Sequence, residues 1–567
     1  MLLMLFLHVF ITISCLWAGY LYYRLINGAS KSGKHFIIHA INGLIILTLL
    51  TQLSALFIPI GNFFSLLILM PLTLSAVYMR KTFAGLLRNL FSNIARLPVE
   101  GKICVACLWL IILMLNTGPL IMDDTESYHI QMVQWIESYG SVPGIANLHE
   151  RYGFNSSWFS SIAVFHFSFR DLNTFTALNG VLSLWFCLYF AEMGFYRYKK
   201  ENASLCFGAL VTILFSFASW PVIRGNAATA NYDYITMLVI IVLCIETYLC
   251  KVNDKDFSLQ AEWLIWPVYL FTVRIFNYPL LLLSIFAIIH LLKNKKWYAL
   301  GCLTIIALLL ILPFIARNII VSGYPFYPSP FLDYFNVDWK TPPEVLKHLL
   351  RFIKYYNRVS NGILDIETTA SLNGLNWIPF WFKYMSAYNQ LIFLPGIAGI
   401  IIYGISIWRN NNKKRLSYSR ILTLSLILSL ISWFCIAPDP RFIYGFLITG
   451  IFFLFNSINS LLNARAINKM THAATIILML CTVPYIVYKQ VENKSFKNWI
   501  VPASLPRPPV KEKQIGEIIV RIPEKINGNW NPRCYGTSLP CLYFIYPGLE
   551  PRGKTIREGF RINKLKQ

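Results

Sequence analysis

Apolar stretches alternate with short polar or basic ones almost from end to end of the chain. A helix crosses a bilayer core with roughly 20 apolar residues. Stretches of that kind are Leu2–Tyr23, then Phe36–Phe57 and Phe63–Met79, a hairpin closed around Gly61-Asn62. Ile103–Met122, Leu172–Met193, Ala203–Val222 and Tyr234–Cys250 follow. Trp297–Ala316, Leu391–Trp408, Ile421–Ile436, Phe442–Leu462 and Ala473–Tyr488 complete the series. Leu264–Leu292 lies between Lys251 and Lys255 on one side and Lys293, Lys295 and Lys296 on the other. It reads as a hairpin of two short helices turning near Arg274-Ile275-Phe276-Asn277, with one kinked span as the alternative. The pattern predicts an all-α polytopic integral membrane protein with about 13–14 spans. Residues 1–102 hold the first helices and a basic loop, 103–488 a core and 489–567 a polar tail.

Composition supports lipid as the solvent. The 567 residues are 56% hydrophobic and 13% charged, with mean hydropathy +0.54, whereas soluble domains carry about 25% charged residues. Lys and Arg number 50 against 26 Asp and Glu, for a net charge of +24. That excess falls in short clusters between apolar stretches, the positive-inside pattern, and no long basic stretch free of membrane sequence is left to bind nucleic acid. The first apolar stretch lacks a basic leader and a small-residue cleavage site, so it reads as a retained span. Ten of the twelve Cys lie in or against apolar stretches and read as small core residues. Cys104 and Cys107 open a span with no His or further Cys nearby, which argues against zinc or redox work.

Charge assigns the loops to sides. Arg80, Lys81, Arg88, Arg96 and Lys102 are cytoplasmic, as are Arg197, Lys199, Lys200 and the clusters at 409–420 and 465–469. Residues 123–171 then lie outside, with acids at 123, 124, 126, 137, 150 and 171 against only Arg151 and Arg170. The second loop, 317–389, and the tail fall on the same side. There Cys534 and Cys541 share an oxidising compartment, and a disulfide is preferred to two free thiols. Ile130, Met132, Val133, Trp135 and Ile136, behind an acidic N-cap, predict a helix lying in the interface, and Trp158–Phe169 a segment dipping into the membrane.

The chemistry concentrates at the exit of the span ending at Met122, where Asp123-Asp124-Thr125-Glu126-Ser127-Tyr128-His129 stands. A carboxylate there can take a proton from an acceptor hydroxyl or hold a divalent cation against phosphate oxygens. Asp124 is the candidate base, with Asp123 and Glu126 near enough to tune it and His129 to orient it; the alternative is a solvated capping turn. His149-Glu150-Arg151-Tyr152-Gly153-Phe154-Asn155 offers the aromatic, amide and charged groups of a sugar site. Asp233 in Asn231-Tyr232-Asp233-Tyr234 stands at a second outer helix end, with Arg224 upstream in the same loop. Arg274, Arg317 and Arg441 occupy outer edges where the charge rule disfavours arginine, and guanidinium matches phosphate bidentately. Snorkelling to lipid headgroups is the bland reading of each.

These residues resemble the GT-C superfamily of polyprenol-phosphate-dependent glycosyltransferases, which carry an acidic motif in the first large outer loop followed by a juxtamembrane helix. The run DTESYHIQMVQWIESYGSVPGIANLHERYGFNSSW, with RNIIVSGYPFYP and PDPRF later, resembles a bacterial branch of GT-C-like membrane proteins, over Ile103 to Phe442. The resemblance implies a bundle with juxtamembrane helices on the outer face, in the bacterial cytoplasmic membrane. It also implies transfer of a sugar from a polyprenyl-phosphate carrier to a glycan, glycolipid or protein acceptor. Asp124 matches the family's first-loop catalytic acid and Asp233 a supporting acid. His149, Glu150, Arg151, Asn155 and Tyr324 would meet sugar or acceptor, and Arg274, Arg317 and Arg441 the phosphate. The choice between Asp123 and Asp124, and a divalent cation such as Mg or Mn, stay open. There is no Walker loop, no HExxH and no GxSxG. The rivals are an O-antigen-type polymerase or ligase, and a transporter or lipid flippase without covalent chemistry.

Overall fold

The apolar stretches fold as helices because a lipid-embedded backbone must satisfy its own hydrogen bonds. The computed structural model describes the chain apart from residues 29–33, 121, 168–173, 198–201, 219, 253–258, 360–363, 410–415, 460–463, 494–497, 499, 503, 525–532 and 564–567. Phe169, Arg170, Asp171, Lys199, Lys200, Lys255 and the middle of the 409–420 cluster thus lie outside the described residues. The chain opens with α1 (Leu2–Asn27), α2 (Phe36–Ser54), α3 (Asn62–Tyr78), α4 (Arg80–Ala95) and α5 (Val99–Thr117). The first loop carries α6 (Ile130–Tyr139) and α7 (Ser157–Phe165). Then come α8 (Ala177–Glu192), α9 (Ala203–Ala218), the short α10 (Gly225–Ala227), α11 (Tyr232–Val252), α12 (Gln260–Val273), α13 (Leu281–Lys293) and α14 (Trp297–Ser322). The second loop holds α15 (Pro343–Tyr356), α16 (Ile366–Ser371) and α17 (Ile378–Tyr384), and α18 (Ala387–Arg409), α19 (Leu416–Ile436), α20 (Tyr444–Asn459) and α21 (Ala464–Asn493) follow.

Among the described residues eleven helices are long and apolar enough to cross a membrane, or twelve if a bent pair counts as one span. The described residues thus show fewer spans than the expected 13–14, and three stretches make the difference. α3 breaks at Met79 and turns by 95° into the basic α4. α9 has 16 residues and α12 only 14, short of a bilayer's thickness. The hairpin reading of Leu264–Leu292 holds: α12 ends where Arg274 turns extended, at φ −154° and ψ 116°. α13 returns alongside, so that Ser284 Oγ donates to the carbonyls of Trp263 at 3.3 Å and Leu264 at 2.8 Å.

Small residues set the closest helix contacts, as packing in lipid favours. A Cβ on Gly43 would stand 1.8 Å from the Cys15 carbonyl oxygen, and one on Gly19 1.8 Å from that of His39, so α1 and α2 touch backbone to backbone. Gly399 and Gly450 repeat this between α18 and α20, where a Cβ on Gly399 would lie 1.8 Å from the Gly450 oxygen. Gly450→Val is expected to destabilise the protein by at least roughly 1–3 kcal/mol. A thermal midpoint in lipid nanodiscs equal to wild type would refute that. Buried polar groups are tied across elements. Asn116 in α5 bonds His8 Nε2 through Oδ1 at 2.9 Å and donates to the Thr176 and Ala227 carbonyls at 2.9 and 2.5 Å.

Two expectations about the loops change. The apolar face of the helix after the acidic motif is turned into protein rather than left for lipid: Ile130, Met132, Val133, Trp135 and Ile136 are all fully buried. α6 packs on α7 from one side, and Gln131 donates to tail carbonyls of Tyr535 and Thr537 at 3.0 and 2.9 Å from the other. The tail also departs from the all-α expectation. It pairs β1 (Val510–Ile515) with β2 (Ile518–Pro523) and β3 (Leu549–Pro551) with β4 (Phe560–Ile562), both antiparallel. Cys534 and Cys541 form the expected disulfide. The start of the chain joins the start of the tail, with the Met1 amine donating to Asn498 O at 2.6 Å and Leu3 N to Ile500 O at 3.0 Å.

Candidate functional site

The acidic motif does not cap a helix. Asp123 and Asp124 start one, and a wide π-helical segment over Thr125–His129 leads into α6 with all five of its residues buried. Such segments recur at functional positions because the extra residue re-aims side chains. Here Asp124 turns away from the helix's own amides to two arginines from distant segments. Its Oδ1 accepts from Arg151 Nη1 at 2.8 Å and its Oδ2 from Arg441 Nη1 at 3.2 Å. Arg441, fixed by the Pro440 turn ahead of α20, also pairs with Asp439 at 3.1 Å. Asp233 at the start of α11 accepts from Arg274 Nη1 at 2.6 Å, and the Arg274 guanidinium lies 3.5 Å from the centre of the Phe442 ring. Arg441 faces Asp124 and Asp233 together. Asp124, Asp233 and Asp439 thus meet Arg151, Arg274 and Arg441 in one balanced cluster, drawn from five separate parts of the chain.

Electrostatics distinguish the motif's acids. Burial alone would raise the Asp124 carboxyl, but Arg441 and Arg151 outweigh it and hold it at about 2. Asp123 is different: two thirds exposed, it pairs with Arg533 of the tail. Glu126 is 8% exposed and shares that arginine, with the Tyr535 hydroxyl donating to it at 3.2 Å. Burial pushes the Glu126 carboxyl up, against the pull of Arg533. His129 bonds Thr125 Oγ1 through Nδ1 at 3.2 Å, and burial lowers it to about 3, so the ring is neutral at physiological pH.

The second predicted group splits. Arg151 joins the cluster. His149, lowered to about 3 by burial and by Arg151, accepts from the Arg151 amide at 3.2 Å and stacks edge-on against Tyr543 of the tail. Glu150 accepts from the Tyr546 hydroxyl. Asn155 accepts from Arg317 Nη1 at 3.1 Å through Oδ1. Arg317 is 1% exposed, its Nε and Nη2 have no hydrogen-bond partner, and among the described residues no acid, Asp124 included, pairs with it. Tyr324 also stands apart, donating to the Thr341 carbonyl at 3.1 Å with Lys340 over its ring. Arg224, expected near Asp233, instead lies 4.4 Å from the centre of the Tyr485 ring.

Four contributors escape a local reading of sequence. Asp439 anchors Arg441; Arg533 and Tyr535 hold Asp123 and Glu126; and Tyr356, at the end of α15, feels Arg441, Asp124, Arg151 and Asp123. The available signal was charge complementarity, an arginine beside a tail cysteine facing an acid-rich loop. As for a divalent cation, no three His, Cys, Asp or Glu side chains converge among the described residues. Each cluster carboxylate instead faces a guanidinium, a donor set that repels a cation, and no step is routed through one.

No curated protein and no solved structure matches the chain. A family model does match, over residues 1–448, taking in the N-terminal helices as well as every member of the cluster and leaving the tail outside. The chain belongs to that family, described as a domain of unknown function (DUF8201).

Proposed function

We propose that the protein is a membrane glycosyltransferase of GT-C type. It moves a sugar from a polyprenyl-phosphate carrier to a hydroxyl of a glycan, glycolipid or protein on the extracytoplasmic side of a bacterial cytoplasmic membrane. The observation that carries this reading is Asp124, at the end of a span, held between Arg151 and Arg441. The basic α4 and the start of α5 precede that span, and their positive charge supports an outward motif.

The acceptor oxygen attacks the anomeric carbon while the bond from that carbon to the phosphate oxygen breaks. The polyprenyl phosphate leaves with the bonding pair, and the acceptor proton passes to Asp124. A carboxyl held at about 2 is a weak base. The donor phosphate corrects this by competing for the Arg151 and Arg441 guanidiniums, whose withdrawal raises Asp124 at the moment the donor is seated. The same guanidiniums then meet the charge that grows on the leaving phosphate. Arg274, paired with Asp233, supplies a third guanidinium beside these two. One acid without a paired nucleophile implies inversion, and a product with retained anomeric configuration would exclude direct displacement.

Purified protein in lipid, given polyprenyl-phosphate sugars and a mixed acceptor extract, is expected to release free polyprenyl phosphate. Absence of release from hexosyl and pentosyl carriers alike would overturn the reading.

A further inference from the structure

The tail lies along the whole acidic half of the first loop. Arg533 pairs with Asp123 and Glu126, and the Tyr535 amide donates to the Glu126 carbonyl at 2.9 Å. Eight residues after Arg533, the Cys541 carbonyl accepts from the Tyr152 hydroxyl at 2.6 Å, next to Arg151. Between these two attachments runs the loop closed by the Cys534–Cys541 disulfide. Tyr543 adds a second contact to the Arg151 side, its ring 4.5 Å from that of His149. The tail therefore ties the two segments that supply Asp124 and Arg151, which are otherwise joined there by their own ion pair.

We propose that the segment from Arg533 to Tyr546 is a strap that positions the acidic motif, with Arg533 as a positioning residue that selects Asp124 over Asp123 as the base. The inference rests on the transferase reading. Three acids within four residues compete for Arg151 and Arg441. Arg533 removes Asp123 and the buried Glu126 from that competition, so that of the three only Asp124 is bonded to Arg151 and Arg441, the latter shared with Asp439. A buried carboxylate stripped of its partner is strongly unfavourable, so Glu126 without Arg533 would draw on the nearest remaining arginine. The disulfide holds Arg533 in reach by fixing the residue after it to the segment beside Tyr152.

The test compares Arg533→Ala, Arg533→Lys and the double variant Cys534→Ser/Cys541→Ser in full-length protein in nanodiscs. Release of polyprenyl phosphate and deuterium uptake over residues 123–136 are both measured. Arg533→Ala and the double serine variant are expected to lower kcat roughly 10- to 100-fold, the scale of a misplaced catalytic group. The donor KM should stay near wild type, uptake over 123–136 should rise, and Arg533→Lys should recover most of both. A loss of kcat that lysine does not rescue and that follows the thermal midpoint would assign the strap a purely structural role and overturn the proposal. Unchanged uptake in Arg533→Ala would overturn it as well. Uptake is read without turnover, so a strap that fails and a transferase reading that fails give different results.

Discussion

Asp124→Asn is expected to cut release of polyprenyl phosphate by about 10²- to 10⁴-fold, the usual contribution of a positioned general base, while the protein still folds. The amide oxygen of asparagine can still accept from one guanidinium, which limits the damage to the cluster. It cannot take up the acceptor proton, and it no longer neutralises Arg151 and Arg441 together. Asp123→Asn is expected to do much less, since that side chain is two thirds exposed and turned to Arg533. Equal losses in the two variants would remove Asp124 from its assigned role. Near-normal activity in Asp124→Asn would favour a polymerase or ligase dominated by arginines, or a flippase with no covalent step.

Arg441→Leu is expected to be the most damaging single change to the arginines. Arg441 is bonded to Asp124, pairs with Asp439 and faces Asp233, so its loss leaves three carboxylates to two guanidiniums. Removing one member of a fully buried pair costs about 3–5 kcal/mol, and the one-third exposure of the Arg441 side chain brings the cost here below that range. The donor KM should rise as well, because the same group is assigned to the phosphate. A pH dependence separates the electrostatic effect from simple misfolding. The Asp124 carboxyl stands at about 2, below its ordinary value of 3.8. Its ionised form therefore stabilises the fold fully above about pH 4, and that contribution, on the order of 2 kcal/mol, is lost as pH falls towards 2. Without Arg441 the depression shrinks and less remains to lose. Thermal midpoints of wild type and Arg441→Leu should converge as pH is lowered from 7 to 3. A gap that stays constant would mean the arginine acts through packing alone.

The membrane character and most span positions could be read from the chain because lipid imposes one rule on every crossing helix. Miscounting arose where that rule is bent by neighbours. Phe63–Met79 is apolar throughout, yet Arg80 and Lys81 follow it and the chain turns at Met79. α9 and α12 are apolar but short, and they pack against α20 and α13. The acidic motif, Asp233, Arg274 and Arg441 stood out as charges at span or helix ends and Arg151 as part of a polar loop group, and the structure gathers Asp124 and Asp233 with the three arginines. Arg317 and Tyr324 looked equivalent in sequence but turn into Asn155 and Thr341. The role of Arg533 was illegible for another reason. Its partners lie 407 and 410 residues away, and no local periodicity encodes a contact of that range.

That range also sets an order of manufacture. Asp124 and Arg441 are 317 residues apart, so at about 5–20 residues per second a ribosome adds the arginine roughly 15–60 s after the aspartate. Arg533 comes later still, 407 residues after Glu126, and the cysteine beside it closes its disulfide only once Cys541 has been made. Until then the nascent protein carries three acids whose long-range cations have not been made. Any translation product that stops before Arg533 keeps its bilayer-embedded helices but leaves Asp123 and Glu126 without the arginine they share.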